Sequence, residues 1–150
     1  MLKYRKASTN DVDKIFIWAN DPVVRKFSYN SEPIKYSKHV EWFNNKLNDN
    51  DSIFYIFENS TNESVGLVRI EKSENEIIIG VLVDEKQRGK SYASKMLKLA
   101  SDAYQLKNKK DIHAYIKKDN FASIKSFENA GFVFVKELLI KDIPSVLYER

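Results

Sequence analysis

The chain of 150 residues is 43% hydrophobic and 13% aromatic, which suits one packed domain over residues 1–150 and excludes a disordered tail. Its 25 basic and 21 acidic residues leave a net charge of +4 with no run of five like charges, so a nucleic-acid tail is not indicated, while a basic groove for an anionic cofactor or substrate stays open. With no cysteine, no apolar run long enough for a bilayer and no apolar N-terminal leader, the chain has no disulfides or thiolate metal sites, and the cytoplasm is its expected location.

"LKYRKA" (2–7) alternates like a strand. Asn10 stands where a helix N-cap is expected, with Asp11 and Asp13 in the first turn and Val12, Ile15, Phe16 and Ala19 at helical spacing. "NDP" (20–22) ends that helix. Ser37 is expected to cap a second helix with Tyr36, Val40, Phe43 and Leu47 inward, and with His39 and Trp42 on its flank. Three strand-like runs follow at 52–58, 64–71 and 76–83, joined by short polar turns that suit antiparallel hairpins. The third is apolar on both faces and is expected at the centre of the sheet.

Ala93, Met96, Leu97, Ala100, Ala103 and Tyr104 mark the next helix. "DIHAYIK" (111–117) is then a strand, parallel to the third run because a helical crossover joins them. Asp119 or Asn120 caps a further helix that ends at Gly131, and "FVFVKELLI" and "SVLYER" close the chain as an antiparallel pair. The expected architecture is α/β, with a mixed, mostly antiparallel sheet of about seven strands and four helices.

The turn "DEKQRGKSYASKML" (84–97) ends in Gly89-Lys90-Ser91, like a nucleoside-triphosphate loop. The first glycine of such a loop would have to be residue 84, which is Asp84, and a dinucleotide fingerprint lacks its other glycines. What remains is a strand turning through a small, flexible centre into a helix N-terminus. Unpaired N–H groups there, with Arg88 and Lys90 beside them, suit a pyrophosphate without a metal.

Arg88-Gly89-Lys90-Ser91-Tyr92-Ala93 resembles the R/Q-x-x-G-x-G/A acetyl-CoA motif of the GNAT family of N-acetyltransferases. Asn120, Ser123, Phe127, Gly131 and Phe132 resemble that family's second motif, N-x-x-A/S-x-x-x-Y/F-x-x-x-G-F. Ser91 stands at the motif's usual glycine, and Phe127 where many members carry an acid tyrosine. The resemblance implies transfer of acetyl from acetyl-CoA to an amine. It also implies a cofactor site at Arg88–Ala93, Asn120, Ser123 and Phe127, extended along the backbone of Val81, Leu82 and Val83. Gly80 fits the splay of the two central strands that such a site needs.

The family's frequent base falls at Ile78, which leaves Glu76, acting through water, and His39 as candidates. His113, beside Tyr115, is expected to be structural. Tyr148 and Ser126 are the remaining stand-ins for the acid.

The stretch 18–43 resembles the W-x-N-D/H-x-x-V/I…H-x-x-W/F pattern of members that acetylate nucleotide-linked amino sugars in surface-glycan pathways. On that reading Arg25 meets phosphate, Asn20, Ser28 and Asn30 meet hydroxyls, and Trp42 stacks on a ring, with His39 beside them. A ribosomal-protein N-terminus, an aminoglycoside, or a non-catalytic acyl-CoA-binding module are the alternatives. The chain is expected as a monomer or homodimer, without metal.

Overall fold

Alternation along the strands sorts their side chains to two faces, and both faces are packed. The computed structural model describes residues 1–150. The strands are β1 (Lys3–Lys6), β2 (Ser52–Glu58), β3 (Ser64–Ser73), β4 (Glu76–Val83), β5 (Ile112–Lys117), β6 (Val133–Ile140) and β7 (Ile143–Glu149). They form one sheet in the order β1-β2-β3-β4-β5-β7-β6, with β4 at its centre as its two-faced apolar sequence predicts. Every neighbouring pair is antiparallel except β4–β5. Those two run parallel because the chain crosses over through a helix.

Five helices complete the fold: α1 (Val12–Ala19), α2 (Pro22–Phe27), α3 (Tyr36–Leu47), α4 (Tyr92–Lys107) and α5 (Phe121–Asn129). Met96, Leu97 and Ala100 of α4 and Phe127 of α5 pack with Val68, Ile70, Ile77, Ile79, Ala114 and Ile116 on one face. On the other face Ile15 and Trp18 of α1 and Phe43 of α3 pack with Phe54, Ile56 and Leu67. The larger core therefore lies under α4 and α5.

Four local expectations change. The "NDP" that ends α1 also starts α2, because the Asp21 carboxylate accepts from the N–H groups of Val23 and Val24 and Pro22 occupies the first turn. Helix entry at α1 is not made by Asn10, which lies inside a 3-10 turn (Thr9–Asp11). Asp11 there accepts from the Ser8 N–H at 2.8 Å. Ser37 sits in the first turn of α3, behind Lys35 at the N-cap. The inward stripe of α3 runs through His39 and Phe43 rather than Tyr36, which is exposed. Asn120, accepting from Ser123 N–H, and Gly131, at φ +92°, do cap α5 as expected.

The β4–β5 ladder is short. Only Ile77–Ile112 and Ile78–His113 are in register, so Ile79–Val83 has no partner strand on its β5 side. No helix is long and apolar enough to cross a membrane.

Candidate functional site

The turn at the end of β4 is assembled from short-range bonds. Asp84 accepts from the Lys86 N–H at 2.8 Å and from the indole N–H of Trp18 at 2.7 Å, which fixes the start of the turn against α1. A 3-10 turn (Glu85–Gln87) follows, with Gln87 buried and accepting from Lys90 Nζ at 3.2 Å. Gly89 has φ +76°, and nothing lies within 4 Å of where a Cβ would stand, so its backbone faces open space. Ser91 holds φ +61° and ψ 23°, the left-handed geometry that the family's glycine would adopt without strain. No side chain caps α4, and none of the N–H groups of Gly89–Ala93 makes a loop or capping bond. They form a row of free donors at the positive end of the helix.

Arg88 is placed beside this row but is already engaged. Its Nη2 is 3.1 Å from Asp21 and 3.3 Å from the carbonyl of Val83. Partial burial works against ionisation of Asp21, but Arg88 and the N–H groups of Val23 and Val24 outweigh it and hold the carboxyl below its ordinary range. Lys90 and Ser91 remain exposed. Val81, Leu82 and Val83 line the gap where β4 has parted from β5. Across it, Phe127 is buried edge-on to Phe132 at 5.1 Å, and Asn120 and Ser123 form the α5 cap.

His39 is not an exposed base. Its ring is buried, Nε2 lies 2.9 Å from the Val12 carbonyl, and it stacks on Phe43. It pins α3 to α1, because the inward stripe of α3 passes through it. Glu76 is half-buried at the start of β4, just before the two residues still paired with β5, and belongs to a cluster. Both its oxygens accept from the Tyr115 hydroxyl at 2.8 Å, and Oε2 lies 2.7 Å from His113 Nδ1. His113 Nε2 in turn lies 3.3 Å from Glu149. Burial, then the bond to Glu76 and its charge, push the Tyr115 phenol up to about 12, so it stays a donor. The two stand-ins for an acid are spent elsewhere. Ser126 donates to the Ala122 carbonyl, and the Tyr148 phenol, raised by burial and by Glu128, donates to Glu128 at 2.9 Å.

The stretch 20–34 largely binds itself. Arg25 donates through Nε to the Ala19 carbonyl at 2.8 Å, through Nη1 to the Asn30 carbonyl at 2.8 Å and through Nη2 to Ser28 Oγ at 3.1 Å. Ser28 donates to the Val24 carbonyl, Asn30 Oδ1 accepts from the Glu32 N–H, and Asn20 makes a reciprocal pair with the backbone of Ile34. Arg25 is thus a clamp on the loop and not a free phosphate ligand. Trp42 packs against Phe54, with the Arg69 guanidinium 5.9 Å from its ring.

Three residues that sequence reading passed over lie on this same face: Arg69, Tyr29, which donates to Ser145 Oγ at 2.7 Å, and Lys117, which donates to the Lys26 carbonyl at 2.9 Å. No group of three or more His, Asp or Glu side chains is placed to hold a metal ion.

A mixed sheet parted at its two central parallel strands, with free donors at the helix that follows, defines the acyl-CoA transferase class of fold. The chain matches the acetyltransferase (GNAT) domain over residues 2–133 and belongs to that family. It is 33% identical over 141 residues to an uncharacterized protein of Methanocaldococcus jannaschii; the match covers 89% of this chain and 28% of that protein. The chain therefore spans little more than a quarter of that relative. A crystal structure of a domain from the same organism superposes with a TM-score of 0.85 at 26% identity, covering 100% of this chain and 97% of that one. A spermidine N-acetyltransferase from Vibrio cholerae, in complex with CoA and spermine, gives 0.88 at 17% identity, covering 99% and 94%. An aminoglycoside acetyltransferase with coenzyme A and kanamycin gives 0.84 at 16%, covering 100% and 94%. At 16–17% identity the last two likenesses are of fold.

Proposed function

We propose that the chain catalyses direct acetyl transfer from acetyl-CoA to the primary amine of a small molecule, with a nucleotide-linked amino sugar as the acceptor. The observation that carries the reading is the gap itself: the unpaired β4 edge, Ile79–Val83, runs straight into the free N–H groups of Gly89–Ala93. Those N–H groups suit the donor's pyrophosphate, and Lys90 adds a charge-assisted contact. The β4 edge offers backbone partners for the pantetheine amides, and one N–H there suits the oxygen of the thioester carbonyl as it gains charge.

In the reaction the amine nitrogen bonds to the thioester carbon, the C–S bond breaks, and CoA leaves as thiolate. The amine's proton passes through the Tyr115 hydroxyl or a water to Glu76, and water relays that proton from Glu76 on to the thiolate, since Phe127 has none to give. Support for a small amine comes from the fold neighbours, whose structures hold spermine and kanamycin. Support for the sugar nucleotide comes from the cationic side chains Arg69 and Lys117 on the acceptor face, which disfavour a polycation.

Thiol release from acetyl-CoA, followed with a nucleotide-linked 4-amino sugar, spermidine, kanamycin and a ribosomal N-terminal peptide, tests the reading. Release is expected with the sugar nucleotide. The buried Phe127 and the absence of an acid at Ile78 favour one rival, an acyl-CoA-binding module without chemistry. CoA binding with no release from any amine would decide for that rival.

A further inference from the structure

Arg69 lies on β3 directly across from Gly80, on the part of β4 that has already left β5. A Cβ on Gly80 would stand 3.0 Å from Arg69 Nε, 3.6 Å from its Cγ and 3.7 Å from its Cζ. The arginine therefore lies flat on the strand in space that only glycine leaves. Its other flank faces the Trp42 ring, and Glu71 meets Nε at 3.5 Å. Both terminal nitrogens are left without a partner in the chain, and the side chain is 45% exposed. Glu71 does not neutralise it, because it also pairs with Lys46 at 2.7 Å. Burial, and then repulsion from the nearby Arg69 guanidinium, weakens the hold of Arg25 on its proton. A planar fork bedded on Gly80, with Trp42 on its other flank and its two terminal nitrogens unpartnered beside an open strand edge, matches two phosphate oxygens.

We propose that Arg69 is the acceptor's phosphate-binding residue, and that the acceptor carries a phosphate group, on the sugar itself or in a nucleotide diphosphate, near its reacting amine. Gly80 serves this site by giving the guanidinium its bed. The proposal rests on the transfer reading for its setting, although phosphate binding can be measured without turnover.

The experiment titrates the protein, with CoA saturating the donor turn, with UDP and with glucosamine 6-phosphate by calorimetry. It compares wild type with Arg69→Gln and Gly80→Ala. Binding of at least one phosphate ligand is expected, weakened about 10–100-fold in Arg69→Gln. Gly80→Ala keeps the charge but moves it, and should weaken binding in the same direction. The ligand bound better identifies the source of the phosphate.

Equal affinity in wild type and Arg69→Gln, with unchanged melting temperatures, would overturn the proposal, as would no binding of either ligand. In parallel, thiol release is followed with glucosamine and glucosamine 6-phosphate. A KM advantage for the phosphorylated amine that disappears in Arg69→Gln supports the proposal, and spermidine as the best wild-type acceptor overturns it. Arg69-dependent phosphate binding with no thiol release from any amine sinks the transfer reading and leaves this site standing.

Discussion

The two sides of the β4–β5 gap are made in different ways. On the proposed assignment the donor side is one continuous stretch, Ile79–Ala93, the open end of β4 and a turn whose shape comes from two left-handed residues and a 3-10 turn. The acceptor side draws Trp42 from α3, Arg69 from β3, Glu76 and Gly80 from β4 and His113 and Tyr115 from β5. A local turn tolerates change elsewhere in the chain, so it keeps its signature; a face built from distant segments can be re-lined one side chain at a time. On that assignment, donor recognition rests on backbone and acceptor recognition on side chains.

The comparison breaks if the donor side is not where CoA is held. Gly89→Asp tests this, because Asp tolerates a positive φ yet places a carboxylate against phosphate. Affinity for CoA should fall at least about 100-fold by calorimetry, with the melting temperature little changed. Unchanged affinity would mean that the turn is ordinary.

On the acceptor side, Glu76→Gln should lower kcat about 100-fold while leaving the KM for acetyl-CoA alone, as steady-state kinetics will report. Tyr115→Phe should act in the same direction. A change in donor KM instead would erase the division between the two sides.

A smaller effect is expected where α1 is anchored. Asp11 is buried and receives a two-pronged bond from the partly exposed Arg5, 2.8 Å at each oxygen. The bond from Arg5, aided by the Ser8 N–H, outweighs burial and holds the Asp11 carboxyl below the ordinary aspartate range. The stability it supplies is thus complete above that ordinary range and is lost as pH falls through the lowered folded value. Asp11→Asn should cost about 1–2 kcal/mol at pH 7 in denaturant melts, with the difference from wild type shrinking only in acid below the ordinary carboxylate range. The smallest change is Ser91→Gly, which relieves a left-handed serine. It should add about 1 kcal/mol of stability and leave CoA affinity as it was.

The strands and the central place of β4 were legible because a run apolar on both faces has few other homes. Asn120 and Gly131 were legible because caps are local. Arg25 misled because nothing in a linear reading tells a guanidinium that meets solvent from one folded back on its own loop carbonyls. His39 misled through a helix phase error: the stripe of α3 is turned so that a polar ring faces the core and bonds to the Val12 carbonyl. The Glu76–His113–Tyr115 cluster joins residues 37 and 39 positions apart, and only the short parallel pairing of β4 and β5 brings them together.

That short pairing also bears on how the domain holds together. The antiparallel strands β1–β4 form one block and β5–β7–β6 another, and only two registered residue pairs join their backbones. Cooperativity between the blocks must pass through side chains, since the core under α4 takes Ile70, Ile77 and Ile79 from one block and Ile112, Ala114 and Val146 from the other. On the proposed assignment, a donor lying along Ile79–Val83 supplies the rungs that the ladder lacks. Amide exchange on both flanks of the gap should then slow together as CoA is added, and the domain is most nearly one folding unit when it is loaded.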